Sequence, residues 1–201
     1  MSESLVLHDG YTDLPPGKLA NIVTYLEMTA RPATHAGPAV PGAALVHVQR
    51  PELAWYRRLF ARIGEPYLWF SRLVMSDDRL AAIVHDPLVE IYAVRIDGRD
   101  EGLLELDFRV AGECELAFLG LSQATIGRGL GRWLMNRALE RAWSQPIARF
   151  WVHTCSLDHP EALAFYQRSG FVAFKRAIEY YDDPRLQGEL PRDAAPDVPL
   201  L

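Results

Sequence analysis

The segment Ile126-Gly127-Arg128-Gly129-Leu130-Gly131 carries three alternating glycines and is followed by Arg132. Without Cβ atoms, such a turn lets several backbone N–H groups face one side. A helix opening here leaves further N–H donors without partners. Together they make an anion site suited to a pyrophosphate, and Arg128 and Arg132 add cations. An ordinary glycine-rich turn is the plain alternative. The spacing is not G-x-G-x-x-G, and G-K-[ST] is missing, so the dinucleotide fingerprint and the P-loop both fail.

Further along stands His159-Pro160-Glu161-Ala162-Leu163-Ala164-Phe165-Tyr166-Gln167-Arg168-Ser169-Gly170-Phe171. Just before it, His153, Cys155, Asp158 and His159 tempt a metal reading. Their spacing is no recognised zinc pattern, since structural sites draw on pairs of close ligands, and no metal is expected. Cys155 as a nucleophile would need a low-pKa environment. Tyr67, Leu68, Trp69 and Phe70 form an aromatic-rich cluster. Core packing accounts for some of it, and a pocket for an apolar or cationic ligand is the sharper reading, with Tyr67 and Trp69 as substrate contacts.

The glycine turn and the later block, in this order, resemble two motifs of the GNAT superfamily, the general-control-related N-acetyltransferases. In [QR]-x-x-G-x-[GA], Gly129 and Gly131 fit, and Ile126 stands where Gln or Arg is usual. In N-x-x-A-x-x-x-Y-x-x-x-G-F, Ala162, Tyr166, Gly170 and Phe171 match in register, and His159 replaces Asn. The resemblance covers about residues 43–182. It implies an α/β (α+β) fold with a mixed, mostly antiparallel central sheet and helices on both faces. The family's fourth strand, here 114–121, would splay from the fifth, here 150–155, with coenzyme A in the gap. Implied cofactor contacts are the main chain of Leu119, Gly120 and Leu121, the turn residues Ile126, Gly127, Arg128, Gly129, Leu130, Gly131 and Arg132, and His159 and Phe165. Acetyl-CoA is the implied co-substrate, and a small-molecule amine the acceptor.

Amide formation from a thioester needs a neutral amine, so a base must take the ammonium proton. By resemblance the base is Glu115, at a strand position where some family members keep a catalytic glutamate. Its alternation with Ala117 and Leu119 allows it to face the cleft or solvent. Glu113, Asp107, His153 and a water chain are alternatives, and His153 is also taken as a substrate contact. Tyr166 resembles the family tyrosine that protonates the departing sulfur, the alternative being a packing residue. A non-catalytic acyl-CoA-binding sensor, and transfer to a protein N-terminus or Lys, are the rival functions.

The elements that must position these residues follow from pattern. Residues 19–28 read as a strand, 30–42 as a Pro-rich loop, and 43–48 as a short strand. Pro51 is placed at the first position of a helix stopped by Gly64-Glu65-Pro66. Ser76 caps a helix over 77–85. Strands at 88–94, 102–110 and 113–121 form an antiparallel meander. A helix over 129–144, a strand at 150–155, a helix over 160–169 closed by Gly170 and a strand at 171–181 complete the domain. The expected division is an N-terminal extension 1–42 with an added strand, a transferase domain 43–183, and a flexible tail 184–201 rich in Pro and charge.

Composition bounds the partners. The net charge of −5 supplies no basic footprint for nucleic acid. Two cysteines make no disulfide scaffold. No apolar run reaches the roughly 20 residues of a bilayer span, and residues 1–15 lack a signal-peptide core. A soluble cytoplasmic protein without membrane partners is expected, with a homodimer left open.

Overall fold

The computed structural model of the chain describes residues 9–33, 40–125, 127 and 129–201. Ile126 and Arg128 of the glycine turn lie outside the described residues. Among the described residues seven strands form one sheet: β1 (Lys18–Met28), β2 (Ala43–His47), β3 (Val89–Ile96), β4 (Arg99–Asp107), β5 (Glu113–Leu121), β6 (Arg149–Cys155) and β7 (Val172–Asp182). Their order across the sheet is β2-β3-β4-β5-β6-β1-β7. Every neighbouring pair is antiparallel except β5 and β6, which are parallel. Helices α1 (Leu53–Gly64) and α2 (Asp77–Val84) cover one face, and α3 (Leu130–Ala142) and α4 (Ala162–Arg168) the other.

Local chemistry explains the meander. Asp97 and Gly98 carry φ values of 48° and 79°, and Ile96 pairs with Arg99. Two left-handed residues make a two-residue hairpin turn whose twist matches the strands, which is why Asp-Gly sits there. Alternation then sorts the sheet faces. Cys114 and Leu116 point to the α3 side, while Ile91, Ala93 and Leu103 point to α1 and α2. Ser76 caps α2 by accepting from the Arg79 amide at 3.4 Å.

Three expectations are corrected. Pro51 is not at the first helical position, because Glu52 is the cap residue of α1 and its carbonyl accepts from Tyr56. The Pro51 carbonyl is taken by His85 Nε2 at 2.9 Å. The strand at 18–28 is no appendage, for it is hydrogen-bonded on both edges, to β6 and to β7. The tail is packed, with Leu190, Ala194, Ala195 and Arg185 all buried, since its few apolar residues meet an apolar patch around Leu68. Among the described residues no helix is long and apolar enough to cross a membrane.

Candidate active site

The site begins where two parallel strands part. β5 and β6 pair only through Glu113–Arg149, Cys114–Phe150 and Glu115–Trp151. Beyond that point β5 follows β4 and β6 follows β1. The cause lies in the β4–β5 register, in which Glu105 faces Phe118 but Leu106 faces Leu116. Ala117 is therefore an extra residue, a bulge that bends β5 away from β6. Among the described residues, the β6-side edge of residues 116–121 has no strand partner, and unpaired backbone groups of this kind call for a ligand or water.

A cleft of about 690 Å³ fills the gap. Of the sequence-derived site residues, Glu115, Leu119, Gly120, Leu121, Gly127, Gly131, His153, His159, Phe165, Tyr166, Tyr67 and Trp69 all line it. Gly129, Leu130 and Arg132 do not. Gly129 caps α3 in the left-handed conformation, and the Leu130 side chain is in the core. The Arg132 guanidinium lies 5.6 Å over the Phe165 ring and donates to Ser169 Oγ at 3.2 Å. Among the described residues, the first bond at this end of α3 runs from the Trp133 amide to the Gly129 carbonyl at 3.2 Å. Among the described residues, the amides of Leu130, Gly131 and Arg132 have no helical acceptor.

At the apex of the gap stands Glu115. Its Oε1 is 3.6 Å from Nδ1 of His153, and both side chains are partly exposed. The Glu115 carboxylate beside it raises the His153 pKa, against burial that would lower it, and Asp158 and Glu179 act the same way as Glu115. Two of the alternatives for the base are otherwise engaged. Asp107 accepts three hydrogen bonds from the Arg109 side chain, and Glu113 is outside the cleft, 3.2 Å from Arg149. Tyr166 packs edge-on to Phe165 and Phe171. Burial, then the charge of Asp158, pushes its phenol well above the ordinary tyrosine range, so it stays protonated. Burial likewise pushes the Cys155 thiol up to about 12, which removes it as a thiolate nucleophile.

The aromatic wall depends on glycines and on a carboxylate that sequence reading passed over. A Cβ on Gly64 would stand 2.3 Å from Trp69 Cβ, and one on Gly120 would stand 2.4 Å from Ile63 Cγ2 and 3.1 Å from Trp69 Cη2. These absences seat the indole. Asp158 then fixes it, accepting from Trp69 Nε1 at 2.9 Å, Thr154 Oγ1 at 2.7 Å and the Cys155 amide at 2.9 Å. By sequence spacing Asp158 suggests only a metal ligand. Tyr67 bonds Gln123, and its ring lies 6.2 Å from the ring of His159. His159 itself accepts from the Glu161 amide.

Arg72, Phe70, Glu179 and Tyr181 also line the cleft. Arg72 meets Glu105 at 2.5 Å, a carboxylate with no solvent exposure that also accepts from the Tyr56 hydroxyl. No local spacing could reveal this pair, which joins the loop before α2 to the middle of β4.

The profile of the acetyltransferase (GNAT) family matches residues 48–171. No curated protein matches the chain. Among solved structures, a GCN5-related N-acetyltransferase from Sphaerobacter thermophilus superposes with a TM-score of 0.61 at 16% identity, covering 81% of this chain and 52% of that one. A putative GNAT-family acetyltransferase from Novosphingobium aromaticivorans gives 0.55 at 19% identity, covering 83% of this chain and 67% of that one. An aminoglycoside acetyltransferase, meta-AAC0020, from an uncultured soil metagenomic sample, in complex with sisomicin, gives 0.55 at 11% identity, covering 70% of this chain and 95% of that one. The chain thus spans about half the length of the first of these structures.

Proposed function

The chain belongs to the acetyltransferase (GNAT) family, and from that premise we propose that its cleft binds acetyl-CoA and passes the acetyl group to a primary amine of a small-molecule acceptor. The observation that carries this reading is the parting of β5 from β6 beyond Glu115, beside a helix start with free amides. The residues fit the co-substrate. The unpartnered edge of β5 suits the amide-bearing arm. Gly127 and Gly129, both with positive φ, and the amides of Leu130, Gly131 and Arg132 suit the pyrophosphate. Acetyl-CoA supplies the activated acetyl thioester.

The chain's own groups do the rest. An aliphatic ammonium titrates near about 10, so at neutral pH the acceptor arrives protonated. Glu115, backed by His153, takes that proton and frees the nitrogen lone pair. As the new C–N bond forms and the C–S bond breaks, Tyr166 gives its proton to the sulfur, and the second proton that the nitrogen loses on becoming an amide returns the tyrosinate to the phenol through solvent. The place of Tyr166 in the lining of the cleft supports this role.

The acceptor end supports a cationic substrate. Glu115, Asp158 and Glu179 present carboxylates there, whereas the charges of Arg72 and Arg109 are already matched by Glu105 and Asp107. The fold shared with an aminoglycoside acetyltransferase bound to sisomicin makes multiply charged amines sensible probes. The test is thiol release from acetyl-CoA across an amine panel that includes sisomicin, with mass spectrometry of the product and calorimetry of CoA binding. Acetylated amine is expected. Tight CoA binding without turnover of any amine, lysine peptide or protein N-terminus would replace the transferase with an acyl-CoA sensor.

A further inference from the structure

The chain beyond β7 is built around one buried cation. Arg185 has a side-chain exposure of 1%, and its partner Asp183 of 3%. Nε and Nη2 of Arg185 donate to the two Asp183 carboxylate oxygens at 3.0 and 2.7 Å. Nη1 donates to the carbonyls of Ala194 and Val198 at 3.2 and 2.8 Å, and Nη2 reaches the Pro199 carbonyl at 3.4 Å. A guanidinium leaves water only when its donors are matched. Here the matching ties residue 185 to carbonyls 9, 13 and 14 positions downstream. That folds the segment into a compact loop. The other end is fixed too, since the Asp183 amide donates to the Gly17 carbonyl at 3.0 Å.

This loop has one apolar face, and it is spent on the wall of the cleft. Leu190, Ala194 and Ala195 form a cluster with Leu68, and Phe70, Leu73 and Leu157 pack against it. Leu68 and Phe70 flank Trp69, and Leu157 precedes Asp158, the acceptor of the Trp69 indole N–H. Leu68 itself sits in the left-handed region at φ 54°, a conformation that is unfavourable for a non-glycine residue and persists only where the surroundings hold it. Before it comes only a short 3-10 turn, Glu65–Tyr67. Tyr181, the next-to-last residue of β7, places its ring 5.1 Å from that of Phe70.

We propose that residues 183–201 form a strap that sets the shape of the acceptor end of the cleft, with Arg185 as its positioning residue. This rests on the reading of that end as the acceptor pocket. The strap touches the Leu68–Leu73 wall and the Leu157 loop, on the side of α1 and α2, whereas α3 packs on the other face of the sheet. Loosening it should therefore alter the acceptor's pocket and spare CoA.

Two variants test this. Arg185→Lys keeps the charge but lacks the planar fork that spans a carboxylate and three carbonyls. Leu190→Ala keeps the ion pair and removes the apolar contact, and so covers the case in which the first variant fails to fold. Hydrogen exchange is followed by mass spectrometry, CoA affinity by calorimetry, and steady-state kinetics with the best amine of the panel as probe. Amides of residues 67–75 should exchange more than about tenfold faster in either variant, with those of β4, β5 and α3 within about twofold of the parent. The KM of the amine should rise several-fold with kcat and CoA affinity held. Unchanged exchange at 67–75, or acceleration spread evenly over the molecule, overturns the strap. Failure of the parent itself to bind CoA overturns the acyltransferase reading instead and leaves the exchange result standing.

Discussion

Glu115 and His153 face each other just where β5 and β6 separate, with 3.6 Å between Oε1 and Nδ1. The carboxylate holds the imidazolium, so His153 titrates above the ordinary histidine value. In Glu115→Gln that support is gone, and the His153 pKa should fall, as read from the pH dependence of its ring C–H resonances. An unmoved titration would mean that the pair does not interact in solution. The linkage has a definite sign. A raised folded-state pKa gives stability that is fully present below about pH 6.5, the unfolded value, and is lost as pH rises through the folded one. The partly exposed pair should contribute no more than about 1 kcal/mol.

The same substitution tests the base. With Glu115 as proton acceptor, Glu115→Gln should lower kcat/KM for the amine by about 10²–10⁴-fold. The loss should be greatest at low pH, where the amine is protonated. A rate within a few-fold of the parent at every pH would move the role to His153 or to a water chain.

Tyr166→Phe keeps the ring between Phe165 and Phe171 and removes only the hydroxyl. If the phenol acts in the transition state, kcat and kcat/KM should fall together while CoA affinity holds. A silent substitution would return Tyr166 to the core as a packing residue.

Glu105 binds Arg72 and the Tyr56 hydroxyl with no exposure of its own. Glu105→Ala strands a guanidinium whose side chain is only 11% exposed. The expected loss is about 3–5 kcal/mol in denaturant unfolding. A loss under about 1 kcal/mol would show that water or the protein re-forms the pair's contacts.

Two glycines of the cleft should separate cleanly. A Cβ at Gly120 meets Ile63 at 2.4 Å, while one at Gly131 meets Phe165 no closer than 3.9 Å. Gly120→Ala should cost about 1–3 kcal/mol through overpacking and perturb Trp69 fluorescence. Gly131→Ala, inside a helix, should be neutral or stabilising by up to about 1 kcal/mol. Equal stabilities for the two would contradict this packing.

Much of the molecule was legible in the residues themselves. Alternation and the Asp97-Gly98 turn mark the meander, because strand period and hairpin chemistry are local. Ser76 announces α2, Gly129 and Gly170 mark helix ends, and Gly131 and Tyr166 mark the cleft, because each needs a particular residue at a particular spacing. What the residues could not declare is everything that depends on who ends up beside whom. The insertion of Lys18–Met28 between β6 and β7 is a choice of partner, made by backbone groups that are the same in every strand. The bulge at Ala117 exists only in the register against β4. Asp158 matters because Trp69, 89 residues earlier, points at it. Arg185, read as part of a charged tail, is buried because three carbonyls and a carboxylate converge on it. A charged group's environment is a sum over tertiary neighbours, and only the folded chain assembles that sum.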